Sequence, residues 1–497
     1  MDEITPTNVL KGIDQHFSNG WHGKYPPLHY YILSLSYSPI LLLERLHFFD
    51  IKTNLTVYTW LFILGRLISV IMGTAIVFLV YWCGCELYER RAALFAALIT
   101  AFMGPFVYYA KITNLDVPYI FWFVLSLVFY VRILKKHLFV DYLLFAITAV
   151  CAICTKDQAY GLYILTPIPI LISRHYHQKV LKPTAGLWQT LLDWQILFAF
   201  GAACFLFSLI HNVLFNFSGF LNHLKLIFGA GSQGYQLYPN TLTGHMHMLW
   251  QALKHLQFIF GWPMFIVCLL GFAITLGRGK SDLLLFALLI PGVSYYLFFV
   301  SVVLYHYDRF LIPFAIILAF FGGKILAEWI SPQRSWYKCR LILFGLLAGY
   351  SFWYAASVDI NMSNDSRYYV ERWMAKHIKP DATIGLIGLR GCLPRTTHFK
   401  HIQFFFLPSG QSIEAARPDY LVINPAITFG SPDLYDKLGL TEMGYTLALQ
   451  YRSQRKWALF DHETILKNGR EYIYSNLDKI NPKIKIYRLV DKMDQKQ

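Results

Sequence analysis

The chain has 497 residues, of which 56% are hydrophobic and only 15% charged, with a mean hydropathy of +0.41. Soluble domains carry about 25% charged residues, so the composition excludes an ordinary soluble enzyme and indicates a polytopic membrane protein. The net charge of +15 does not signal nucleic-acid binding, because no basic patch is interleaved with a reading element; in membrane proteins Lys and Arg collect in cytoplasmic loops.

Residues 1–56 read as an outer loop with interfacial helices. The chain opens with MDEITPTNVLKG, without a signal peptide or hydrophobic helix ahead of it. The stretch PPLHYYILSLSYSPILLL (26–43) is apolar but short for a span and contains Pro39, which favours an interfacial or re-entrant helix over a crossing. Residues 57–358 carry ten predicted spanning helices, near 57–82, 92–109, 117–134, 140–154, 159–173, 194–215, 250–276, 283–304, 310–328 and 339–358. Alternate loops between them differ in charge. One set holds Arg90, Arg91, Arg132, Lys135, Lys136, Arg174, Lys179, Lys182, Arg278, Lys280, Arg334, Lys338 and Arg340; the other holds only Lys111, Lys156, Lys225 and Arg309. The first set is therefore read as cytoplasmic. Asp116 and residues 359–497 then face outward. That last region reads as a small extracytoplasmic α/β domain: a helix over 367–378, strands over 382–388, 419–424, 446–451, 456–461 and 484–490, and a short helix over 431–440.

The eight cysteines lie mostly in or beside apolar runs, so Cys151-x-x-Cys154 reads as packing rather than redox chemistry. His245-x-His247 lacks a third ligand at motif spacing, and no metal site is expected. Asp116 opens an apolar run, preceded by Asn114 and followed by Pro118. Two readings stand: one of Asn114 and Asp116 caps the helix, or Asp116 lines a site. Its neighbours at the outer face are polar and of both signs: Tyr109, Lys111, Lys156, Asp157, Gln158, His306, Asp308, Arg309 and Arg66, with His22 and Lys24 from the first loop, and Asp2 and Glu3 if the N-terminus is outside. Each alone has an ordinary explanation as interfacial anchor, loop residue or local ion pair. Together they suit group transfer from a lipid phosphate: acids orient or accept the proton of a nucleophile, and cations stabilise a leaving phosphate.

The order of Asp2-Glu3, KYPPLHYY (24–31), GRLISV (65–70), YAKITNLDVP (109–118) and RFLIPF (309–314) resembles the GT-C glycosyltransferases of the protein O-mannosyltransferase and aminoarabinose-transferase type. The resemblance covers residue 2 to about 358 and implies a GT-C fold of about ten spanning helices plus an interfacial helix. It implies sugar transfer from a polyprenyl-phosphate donor to a protein, lipid or cell-surface glycan acceptor, without a metal or other cofactor, in the bacterial inner membrane. It makes Asp2 the principal catalytic acid, Glu3 its support, Asp116 the second site carboxylate, and Lys24, Arg66, Lys156 and Arg309 the lipid-phosphate ligands. His22, Tyr109, Lys111, Gln158 and His306 are further site candidates. His29 departs from the family pattern, where an aromatic is common. A second departure is that the chain begins where the family's first helix ends, and a first spanning helix is expected to be missing upstream. The classes weighed against the enzyme are a transporter or flippase, which predicts ionisable residues at mid-membrane, and a non-catalytic scaffold, which predicts tolerance of Asp116→Asn.

Overall fold

The computed structural model describes residues 3–15, 25–51, 53–184, 186–229, 236–388, 390–405, 410–424, 439–454, 457–459 and 475–490. The chain divides into two compact units, residues 2–355 and 356–497, a few residues ahead of the boundary read from composition.

In the first unit the helices are α1 Pro6–Asp14, α2 Leu28–Arg45, α3 Leu55–Leu87, α4 Arg90–Ala101, α5 Gly104–Tyr109, α6 Asp116–Lys136, α7 Phe139–Thr155, α8 Pro167–Leu181, α9 Leu187–Leu191, α10 Trp194–Ile210, α11 Phe217–Phe228, α12 Leu242–Phe260 and α13 Trp262–Arg278. There follow α14 Leu283–Val303, which contains a π turn over Tyr296–Val300, and α15 Asp308–Trp329. The helix α16, Tyr337–Ser363, runs on into the second unit. All ten segments expected to span are helical in whole or part, but among the described residues six helices could cross a membrane by length and composition, or seven if α12 and α13 count as one. The difference has local causes. Pro105 cannot continue α4, so segment 92–109 becomes helices of 12 and 6 residues. Segment 140–154 gives an α7 of 17 residues. Segment 159–173 divides between a 3-10 turn, Asp157–Leu162, and α8 with Pro167 in its first turn. Segment 250–276 breaks at Gly261, whose φ of +71° favours glycine, and α12 and α13 meet there at 119°. The helix α2 runs unbroken through Pro39 for 18 residues and is not among the candidate spans.

The centre of this unit is α15 and α6, whose apolar windows are 83% and 72% buried; the Leu187–Ile210 window at the periphery is 11% buried. The helix α15 packs on α4, α13 and α12, while α6 packs on α3 and α7. Small residues set the closest approaches, as is usual where helices associate without a hydrophobic drive. The alanine face of α4 meets Gly323 so closely that a Cβ there would sit 2.6 Å from the Ala92 carbonyl oxygen and the Ala96 nitrogen. At the far end from Asp116, basic loop residues are tied to acids. Arg132 bonds Asp141 at 2.7 Å, Lys136 bonds Glu86 at 2.9 Å, and Arg174 bonds Asp193 at 2.8 Å. All eight cysteines are free thiols.

The second unit holds helix α17 Ser366–His377, strands β1 Thr383–Ile387 and β2 His401–Phe405, helix α18 Gly410–Ala416, and strands β3 Tyr420–Ile423, β4 Tyr445–Tyr451 and β5 Ile484–Leu489. The sheet order is β2-β1-β3-β5-β4, parallel between β1, β2 and β3 and antiparallel beyond. Alternation along β3 splits the core. Val422 joins Val370 and Met374 of α17, whereas Leu421 and Ile423 join Ile413 of α18. The sequence reading omits β2, an edge strand with mostly exposed residues that lacks a clean alternation. The described part of the strand expected over 456–461, residues 457–459, is not strand. Most of the helix expected over 431–440 lies outside the described residues.

Candidate active site

The site is assembled at helix ends. Asn114, not Asp116, caps α6: its Oδ1 accepts from the Asp116 and Val117 backbone N–H groups at 2.6 and 3.2 Å, and its amide donates to the Tyr109 and Ile112 carbonyls at 2.6 and 2.9 Å. A buried side chain that satisfies four backbone groups is a strong local staple. Asn114→Ala is expected to cost about 1 kcal/mol or somewhat more, measured as a lower melting temperature in detergent.

Relieved of capping, the Asp116 carboxylate is free for other partners. It is 2% exposed. Lys156, just past the end of α7, donates to its Oδ1 at 2.6 Å, and Arg309, the second residue of α15, brings Nη1 to 3.6 Å from Oδ2. One buried acid thus stands between two cations. Both cations are boxed by rings. The Lys156 ammonium lies 5.6 Å from the Tyr119 ring, 5.9 Å from Phe310 and 6.0 Å from Tyr25, and the Arg309 guanidinium lies 4.5 Å from the Tyr307 ring. Cation–π contacts of this kind hold charge where water is excluded. Asp308, fully buried beside Arg309, accepts the Tyr109 hydroxyl at 2.8 Å and the Arg309 backbone N–H at 2.6 Å.

A second arm comes from the N-terminal segment. Arg66 of α3 grips Glu3 through Nε and Nη2 at 2.8 and 3.1 Å, a bidentate pair. Glu3 Oε1 also accepts the Thr113 N–H at 3.3 Å, and the Ile4 N–H donates to the Thr113 carbonyl at 2.7 Å. Residues 3 and 4 are therefore strapped to the loop that leads into Asp116.

The other sequence candidates divide. Gln158 is buried and donates to the Tyr295 hydroxyl at 3.1 Å, one residue beyond the Lys156–Asp157 pair. Asp157 points to His223 of α11 at 3.0 Å; burial raises its carboxyl pKa, and the histidine opposes that. Lys111 is half-buried in the turn after α5, its N–H on the Tyr108 carbonyl at 3.0 Å. His306 is turned into the wall: its Nε2 meets the Met248 carbonyl at 2.7 Å, and burial holds its pKa down at about 3, so it supplies no charge at neutral pH. His29 is fully buried and neither ring nitrogen has a hydrogen-bond partner among the described residues, so it is used as an aromatic would be. Asp2, His22 and Lys24 lie outside the described residues. The sequence reading placed Asp308 in the outer cluster, with a local ion pair to Arg309 as its ordinary explanation, and gave no role to Tyr25, Tyr119, Tyr295 or Tyr307; their apolar context conceals them. His245 meets Asn240 Oδ1 at 3.0 Å, and among the described residues no three His, Cys, Asp or Glu side chains are grouped to hold a metal.

Residues 59–203 match the family model described as dolichyl-phosphate-mannose-protein mannosyltransferase. The segment includes Arg66, Tyr109, Asp116, Lys156 and Gln158 and ends before Arg309. No curated protein sequence matches the chain. Among solved structures it is similar to ArnT from Cupriavidus metallidurans in the apo state, with 14% identity and a TM-score of 0.48 over 96% of this chain and 91% of that one. ArnT bound to undecaprenyl phosphate gives 13% identity and a TM-score of 0.45 over 95% and 88%. The Archaeoglobus fulgidus oligosaccharyltransferase tethered with an acceptor peptide gives 13% identity and 0.42 over 95% and 81%.

Proposed function

We propose that this chain is an integral-membrane glycosyltransferase that moves a sugar from a polyprenyl-phosphate donor to an acceptor at the extracytoplasmic face of the membrane. The observation that carries this reading is the buried Asp116 carboxylate between Lys156 and Arg309, inside or beside the segment that matches the mannosyltransferase family model. In the reaction the bond between the sugar's anomeric carbon and the phosphate oxygen breaks. The acceptor oxygen or nitrogen bonds to that carbon, its proton passes to a carboxylate, and polyprenyl phosphate leaves. Lys156 and Arg309 meet the negative charge that grows on the departing phosphate. Asp116 holds the two cations side by side before the donor arrives, so little reorganisation is needed during transfer. In this scheme Asp2, next in sequence to the Arg66-bound Glu3, is the proton acceptor. No metal is needed, because the two cations supply the charge that a metal ion would.

The groups around the cation pair sit at helix ends: Asp116 and Asp308 each open a helix, Arg309 is the second residue of one and Lys156 follows one; Arg66 alone lies within a helix. That favours an interfacial transferase over a transporter, whose ionisable residues would lie at mid-membrane. The sugar is a hexose or pentose, and the acceptor is a protein, lipid or surface glycan.

The test is release of labelled sugar from a panel of polyprenyl-phosphate sugars in membranes that contain the full chain. Transfer is expected from at least one donor. Lys156→Gln is expected to slow it roughly a hundredfold to a thousandfold, the usual cost of one transition-state charge contact. No transfer from any donor by folded, inserted protein overturns the proposal.

A further inference from the structure

A cleft of about 670 Å³ opens at the other end of the first unit, lined by Val267, Leu270 and Ile274 of α13, the end of α15, and Leu343 and Leu347 of α16. Its walls are stripes at helical spacing. From Val267 to Arg278 the stripe on α13 is about 16 Å long at 1.5 Å per residue, close to the depth of one bilayer leaflet, about 15 Å. The cleft belongs to one end of α15: Asp308 opens that helix and Trp329 closes it about 31 Å away.

The mouth is basic. Arg278, Arg334 and Arg340 line it with a single acid, Glu328. Glu328 is matched by Arg278, which it meets at 2.6 and 2.7 Å, so two positive charges remain in excess. Arg340 spends one N–H on the Trp329 carbonyl at 3.0 Å, and a guanidinium carries five N–H donors. Arg334 lies in the exposed turn before α16, near Trp336, which is 77% exposed, as expected of an interfacial anchor. The loops concerned are those whose Lys and Arg excess reads as cytoplasmic.

We propose that this cleft is a binding site for one anionic phospholipid of the cytoplasmic leaflet, with its phosphate on Arg334 and Arg340 and an acyl chain along the α13–α16 groove. Leaflet-deep apolar walls suit a lipid tail, and charge complementarity at the mouth selects an anionic headgroup over a zwitterionic one. The site is separate from the transfer reaction and supplies a fixed point between α13, α15 and α16 at the end far from Asp116.

Native mass spectrometry of the full chain released from mixed phosphatidylglycerol and phosphatidylcholine bilayers tests it. Wild type is expected to retain phosphatidylglycerol in preference, and the double variant Arg334→Gln/Arg340→Gln to lose about twenty-five-fold of that preference, at roughly fivefold per arginine. Leu270→Trp, which fills the groove, is expected to lower retention of both lipids. Arg90→Gln/Arg91→Gln, on another basic loop, is expected to leave retention unchanged. Equal retention of the two lipids by wild type overturns the proposal, as does an equal loss in the Arg90/Arg91 variant. Displacement by equimolar polyprenyl phosphate also overturns it, since the cleft would then belong to the donor.

Discussion

Asp116→Asn is expected to lower the rate of sugar transfer at least a hundredfold while leaving donor affinity unchanged or improved. The cap of α6 is Asn114, so the loss does not pass through helix formation. Asn keeps the shape but removes the charge that draws Lys156 and Arg309 together. The cations then stand apart and must reorganise when the phosphate departs, which lowers turnover. The donor phosphate still meets two positive charges, now less neutralised, so KM does not rise. The same change takes away the carboxylate that the buried Lys156 and the half-buried Arg309 both face, a loss of about 3 kcal/mol. The variant should therefore melt earlier without ligand and recover when polyprenyl phosphate supplies the missing negative charge. Turnover numbers and melting temperatures with and without polyprenyl phosphate give both readouts. An Asn variant that transfers sugar at the wild-type rate removes Asp116 from the site.

Gly323→Val is expected to be among the most damaging changes in the unit that holds the site. Its Cβ would meet Ala92 oxygen and Ala96 nitrogen at 2.6 Å and Ala96 Cβ at 2.9 Å. Two of these three atoms belong to the backbone of α4 and cannot rotate away, so the helices must part. Overpacking typically costs about 1–3 kcal/mol, and β-branching adds two more methyl groups. The helix α15 also carries Asp308 and Arg309 at its start, so a shift of its axis should lower transfer along with stability. Gly201→Ala is the matched control: it lies in α10, where a Cβ would meet nothing within 4 Å, and a helical Gly→Ala change at an open position is neutral or slightly stabilising. Comparable melting temperatures for the two variants would show that α4 and α15 have room to separate.

The sequence made some parts legible and hid others for physical reasons. Apolar run length located the ten longer apolar segments, because burial in lipid or protein demands apolar residues over whole turns, but it missed α11, which carries His223. It could not tell a continuous span from a broken one, since Gly104-Pro105 and Gly261 interrupt runs whose hydropathy does not change. Asp116, Lys156 and Arg309 stood out because charges are costly in apolar surroundings. Their mutual pairing could not be read, as it depends on α6, α7 and α15 converging from positions far apart in the chain. Asp308 lay in plain view, but its partner Tyr109 is distant in sequence. In the second unit, β1, β3, β4 and β5 announced themselves by apolar character, whereas the exposed edge strand β2 did not.

The 119° angle at Gly261 has a mechanical consequence. If α13 stands along the bilayer normal, α12 lies within about 30° of the membrane plane. At 19 residues it is a bar about 28 Å long. Its outward side chains Leu242, Met246, Leu249, Trp250 and Leu253 are apolar and exposed, so the bar floats in the interface rather than above it. Its Met248 carbonyl holds His306, three residues before Arg309. Lateral pressure among the surrounding headgroups therefore bears on α12 as a load on a beam, and the beam's support is the turn that aims the arginine.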